Sequence, residues 1–193
     1  MLELREFKLS DGSLLKGWIT RPVELLTWGG PSFTWPLDDK QLAAYVADSA
    51  GGRRLSWTAV DSATGEAIGH VSLRIGNVRS PNAGAQTEAS LSDPGSVSSG
   101  RLGRVLIAPA VRGRGHAAVM LQRVLELAFG ELRLERIELG VFAHNTSAVR
   151  LYERLGFQRD NVLADIEQVD GKSWSALQMS LQKPASQVAP TTS

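Results

Sequence analysis

The sequence contains no cysteine. That absence removes disulfides, thiolate metal sites and any mechanism in which the protein carries an acyl group on its own sulfur. No apolar run approaches the roughly 20 residues that a helix needs to cross a bilayer, which argues against a membrane-inserted chain. An excess of one charge is missing too. With 21 Lys and Arg against 20 Asp and Glu, the formal net charge of +1 supplies no global field to draw the chain to nucleic acid or an anionic membrane. The opening Met-Leu-Glu-Leu-Arg-Glu-Phe-Lys lacks the uninterrupted hydrophobic stretch of a secretory leader, so the expectation is a cytoplasmic protein.

What is present suits a globular fold: 193 residues, 42% of them hydrophobic, can close one domain around a sizeable core. The expected frame is a single domain over residues 1–183, interrupted by a long flexible loop at 76–100 and followed by a disordered tail at 184–193. Period-two alternation predicts an opening strand at 2–9, with a short helix after Ser10 and Asp11. Residues 22–36, with Trp28, Gly29, Gly30, Pro31, Phe33 and Trp35, mix turn formers with aromatics and read as a loop. A helix capped by Asp38 and Asp39 follows, burying Leu42, Tyr45 and Val46. Strands at 54–60 and 67–75 flank a turn at 61–65. Further strands are expected at 102–108, 136–142 and 174–181. Helices are expected from the end of the first of these to about residue 132, and at 146–155.

The most informative segment is 104–117, Arg-Val-Leu-Ile-Ala-Pro-Ala-Val-Arg-Gly-Arg-Gly-His-Ala. It runs an apolar strand through a proline into a glycine- and arginine-rich turn that opens a helix. The first amides of a helix have no partner within it and sit at the positive end of the peptide dipoles, so such a turn can hold an anion. A nucleotide-triphosphate loop is ruled out, because Gly115-His116-Ala117 supplies neither the lysine nor the hydroxyl that such a loop needs. A dinucleotide fingerprint fails on its third glycine, which is Ala118, and on its late place in the chain. A plain reading remains, in which the glycines only make a tight strand-to-helix connection.

A second motif selects among these. Residues 145–157, Asn-Thr-Ser-Ala-Val-Arg-Leu-Tyr-Glu-Arg-Leu-Gly-Phe, place Asn145 as a helix cap and Gly156 with Phe157 as the helix stop. Together the two segments resemble the GNAT superfamily of N-acetyltransferases. Arg112-Gly113-Arg114-Gly115-His116-Ala117 matches its acetyl-CoA signature, and Asn145, Ala148, Tyr152, Gly156 and Phe157 match its second motif in order and spacing. The resemblance implies an α/β fold with a mixed, mainly antiparallel sheet of about six to seven strands flanked by helices and splayed at the cofactor cleft.

It also implies roles. The CoA pyrophosphate would lie on Arg112 to Ala117, His116 included, and the pantetheine arm along Leu106, Ile107 and Ala108, with Asn145 and Ala148 on the cofactor side. Tyr152 would protonate the leaving thiolate. Ribosomal-protein N-terminal acetyltransferases of this superfamily carry a base glutamate at the position of Gly140, which this chain lacks. Glu138, two residues earlier on the same strand side, is the expected catalytic carboxylate. His70, His116, Glu88 and a water relay are the other candidates. The expected reaction is direct attack of a primary amine on acetyl-CoA, with a small-molecule or peptide amine as acceptor, no metal and no nucleic acid. A homodimer is left open, and the alternative function is a CoA-binding sensor with little activity.

Overall fold

The computed structural model describes residues 1–50, 52–79 and 96–184, with side chains described except at 50, 77–79 and 96–97. Seven strands, β1 (Leu2–Glu6), β2 (Arg54–Asp61), β3 (Ala67–Arg79), β4 (Ser96–Ile107), β5 (Arg136–Phe142), β6 (Gln158–Val169) and β7 (Lys172–Gln182), form one sheet. Its order is β1-β2-β3-β4-β5-β7-β6. Every pairing is antiparallel except β4 with β5. That parallel pair covers only Ser99–Arg101 against Arg136–Glu138, after which the two strands part. This is the mixed, splayed sheet that the sequence predicts.

Among the described residues five α-helices pack on the sheet: α1 (Gly12–Trp18), α2 (Pro22–Gly29), α3 (Asp39–Ala50), α4 (His116–Phe129) and α5 (Thr146–Arg154). Two apolar cores result. Met120, Leu121, Val124 and Ala128 of α4, with Val149 and Tyr152 of α5, pack on Val71, Leu73, Leu102, Ile137 and Leu139 of the sheet. Leu15, Leu25, Trp28, Leu42 and Tyr45 of the first three helices form the second core with Phe7 and partly buried Leu106.

Several expectations are corrected. Residues 22–29 of the expected loop form α2, which starts with Pro22 at its first position, where a missing N–H costs nothing. The Glu24 carboxylate accepts from the Arg21 and Thr20 N–H groups at 3.1 and 2.9 Å and so closes that end. Part of the expected 76–100 loop is strand instead: Gly76 pairs with Ser99 and Ile75 with Gly100. Glycine and serine hide such a ladder because it is held by main chain rather than by an apolar face. The rest of that loop, Glu88 within it, and the tail from residue 185 lie outside the described residues. β6 was not foreseen. It is an edge strand exposed at most positions, with Val162 and Ile166 56% and 46% accessible, so one-sided burial leaves no alternation to read. The helix expected to reach 132 stops at Phe129.

Candidate functional site

The turn between β4 and α4 has the geometry of an anion cradle. Gly113 and Gly115 both take positive φ, +76° and +82°, a conformation that costs a side-chain-bearing residue strain. A Cβ on either would meet open space, so backbone conformation rather than crowding demands glycine there. Among the described residues, the N–H groups of 113 to 117 make no hydrogen bond, and the first contacts of the helix run from Ala118 and Val119 to the Gly115 carbonyl. Five successive amide donors at a helix start are what a pyrophosphate requires. Arg114 is exposed beside them, whereas exposed Arg112 turns back and donates through Nε to the Ile107 carbonyl at 3.0 Å. His116 and Ala117 are half-buried at the head of α4.

From Leu102 onward the side of β4 that would face β5 has no strand partner among the described residues, so its peptide groups can pair with an extended ligand. Leu106, Ile107 and Ala108 lie on this stretch. A bulge lies just before them. Between β3 and β4 the register passes from Ser72↔Gly103 to His70↔Leu106, which inserts one extra residue in β4. Arg104 sits in that bulge with φ +50°. The insertion shifts the side-chain phase, since Leu102 and then Val105 and Ile107 face the α4 core. Arg104 thereby turns to the opposite face, where its guanidinium carbon lies 5.1 and 4.8 Å from the ring centroids of Phe33 and Tyr45. The Trp28 indole N–H donates to the Arg104 carbonyl at 2.9 Å and holds the bulge.

Across the gap, the Asn145 side chain accepts from the Ala148 N–H at 3.3 Å and caps α5. One turn on, Tyr152 is 7% accessible and packs edge-on against Phe157. Burial raises its phenol to about 12, and its hydroxyl makes no hydrogen bond among the described residues. Glu138 lies at the last β4–β5 pair, opposite Arg101, and its Oε1 accepts from Arg136 Nε at 2.8 Å. Gly140 follows on the same strand side. A Cβ there would lie 3.1 Å from Arg101 Nη2, so the arginine covers the spot where the superfamily's glutamate would project. His70 is sealed in, 1% accessible, with Nε2 3.0 Å from the Tyr45 hydroxyl; burial above all, then Arg104, lowers its pKa to about 3. Among the described residues, no group of three His, Asp or Glu could hold a metal.

The sequence alone assigned no role to Arg101 or Arg104. Gly103, the one glycine in the expected strand at 102–108, was the available sign, because an isolated strand glycine suggests a bulge. The other predicted residues fall into two groups on either side of one cleft: 106–108 and 112–117 along β4 and its turn, and 138, 145, 148 and 152 on β5 and α5.

A parted sheet, a bulged central strand with an open edge and a run of amide donors at a helix start define a protein that takes an extended, phosphate-bearing cofactor between two strands. Residues 23–157 match the Acetyltransferase (GNAT) family, and the chain belongs to it. A 69-residue stretch is 35% identical to the spermidine N(1)-acetyltransferase of Vibrio cholerae, covering 36% of this chain and 40% of that protein. The matched stretch thus spans about 40% of the length of the first curated relatives. In overall fold, the chain is similar to a spermidine N-acetyltransferase from Vibrio cholerae solved with CoA and spermine. The TM-score is 0.75 at 21% identity over 94% of this chain and 95% of that one. A dodecameric structure of the Vibrio cholerae spermidine enzyme gives 0.67 at 20% identity, over 94% of each chain.

Proposed function

We propose that the protein is an acetyl-CoA-dependent N-acetyltransferase acting on a primary amine in the cytoplasm. The observation that carries this reading is the run of unpartnered N–H groups at 113–117, continuous with the open edge of β4. The amides take the pyrophosphate, with Arg114 adding charge, and residues 106–108 pair with the pantetheine arm. Asn145 and Ala148 face the cofactor from α5.

The amine nitrogen attacks the thioester carbonyl carbon, the C–S bond breaks, and the Tyr152 hydroxyl gives its proton to the departing thiolate. The amine's surplus proton leaves through water by way of Glu138, and a proton from solvent restores the Tyr152 hydroxyl. Membership of an acetyltransferase family and the spermidine enzymes among the similar proteins support a small amine as acceptor. Self-association draws support from the dodecameric neighbour, and a homodimer is its simplest form here.

Titration calorimetry with acetyl-CoA, paired with a thiol-release assay over an amine panel, tests the reading. Binding with turnover of some amine is expected. No binding and no release would overturn it. Binding without turnover would favour the CoA sensor, a reading that the missing carboxylate at Gly140 keeps alive.

A further inference from the structure

Two arginines of β4, Arg101 and Arg104, stand on the face of the sheet covered by the first three helices, on either side of the point where β4 leaves β5. Leu102 faces the α4 core, so Arg101 points the other way, and the bulge sends Arg104 the same way. Neither makes an ion pair among the described residues. The Arg101 guanidinium reaches over Gly140, its one hydrogen bond a long 3.4 Å contact from Nη1 to the Gln178 side chain. Among the described residues the Arg104 guanidinium makes no hydrogen bond, and its Nε is buried without a partner there. Leaving buried donors unmade is costly, and Phe33 and Tyr45 pack against the guanidinium, so this is a prepared group rather than a waving surface charge.

Carboxylates around the mouth are already engaged. Glu138 is bonded to Arg136 at 2.8 Å, and Asp48 to Arg54 at 2.7 Å. Around Arg101 and Arg104 the cleft therefore offers guanidinium groups and aromatic faces, and the carboxylates Glu138 and Asp48 are held by other arginines. A polyamine would set its second ammonium against that field. A planar carboxylate would satisfy it, since guanidinium and carboxylate match in two parallel hydrogen bonds.

We infer that the acceptor is an amine that also carries a carboxylate, an amino acid or a compound of that form, with Arg104 and Arg101 holding the carboxylate while the amine reaches the thioester. This rests on the N-acetyltransferase reading above. The attack and the proton transfers are those already written; the arginines choose the substrate and stay unchanged.

The test compares matched pairs in the thiol-release assay with acetyl-CoA: free L-amino acids, the primary amides of the same amino acids, and spermidine. The free acids are expected to exceed their amides and spermidine by about 100-fold in kcat/KM, the scale of losing a charged hydrogen-bonding partner. In Arg104→Gln and in Arg101→Gln that ratio falls toward one, while calorimetry still shows acetyl-CoA binding. If Arg104→Gln fails to fold by circular dichroism, Arg101→Gln alone decides, because its side chain is exposed. Amides or spermidine turned over as well as the acids, or a ratio unchanged in the folded variants, would overturn the carboxylate assignment and leave the acetyltransferase reading standing. Acetyl-CoA binding with no amine turned over would sink both.

Discussion

Burial alone lifts the Tyr152 phenol to about 12, so the side chain stays protonated through any ordinary assay range and is available as a donor. Its hydroxyl has no partner within the described residues, and a thiolate arriving at the end of the open β4 edge would supply one. Tyr152→Phe is expected to lower kcat by about 100-fold, the usual scale of a general acid, while acetyl-CoA affinity by calorimetry holds. The pH profile of the wild type should show no alkaline limb from this residue below about pH 10, the value of a solvated phenol. An unchanged kcat would remove Tyr152 from the acid role. The places of Tyr152 and Asn145 on α5 and of Gly113 and Gly115 in the turn could be read from the sequence because each is set within its own turn of chain. Arg101 and Arg104 could not, since what they face follows from a register shift and from where β5 stops pairing.

The strand, turn and helix from 96 to 129 act as a unit. The bulge at Arg104 is stabilised from outside by the Trp28 indole of α2, and the turn beyond Ile107 is tied back by Arg112. Gly115 is the hinge of that unit: its positive φ aims the amides, and its missing side chain keeps the space before them clear. Gly115→Glu should abolish acetyl-CoA binding in calorimetry by placing a carboxylate where the pyrophosphate belongs. Backbone strain should add a stability loss of about 1–2 kcal/mol in denaturant titration. Retained binding would disprove the cradle. This element was legible because glycine, arginine and proline mark it in one continuous segment. By contrast, α2 was obscured by Gly29 at its last position and by Gly30 and Pro31 just beyond it, although Pro22 and Glu24 carried the signature of a helix start. The far end of the β3–β4 ladder was hidden for the opposite reason, because the serines and glycine of 96–100 show no continuous apolar side.

Across the whole molecule, stability should follow pH in two stages, because the face under α1 and α3 buries a polar seam. The imidazole of His70 bonds the Tyr45 hydroxyl, which accepts from Ser56 at 3.0 Å, and neighbouring Asp11 takes Arg5, Thr58 and the Lys8 N–H. Burial, with Arg104 adding to it and Asp11 opposing it, keeps His70 neutral down to about pH 3 in the folded state, whereas the unfolded chain takes up that proton near pH 6.5. The stability involved is therefore complete above pH 6.5 and drains as pH falls toward 3, by about 2 kcal/mol between pH 7 and pH 5. For Asp11, burial pulls the pKa up but its hydrogen bonds outweigh that, so like Glu24 beside Arg21 and Asp48 beside Arg54 it is lowered. Carboxylates lowered in this way contribute stability above the ordinary carboxylate range near pH 4 and lose it only as pH drops through and below that range. The two stages separate His70 from the carboxylates. Urea unfolding measured from pH 7 to pH 5 should show the loss in the wild type and a nearly flat line for His70→Gln, at a lower absolute stability. The same slope in both proteins would mean that the proton enters elsewhere, and that His70 is not the buried neutral base of this seam.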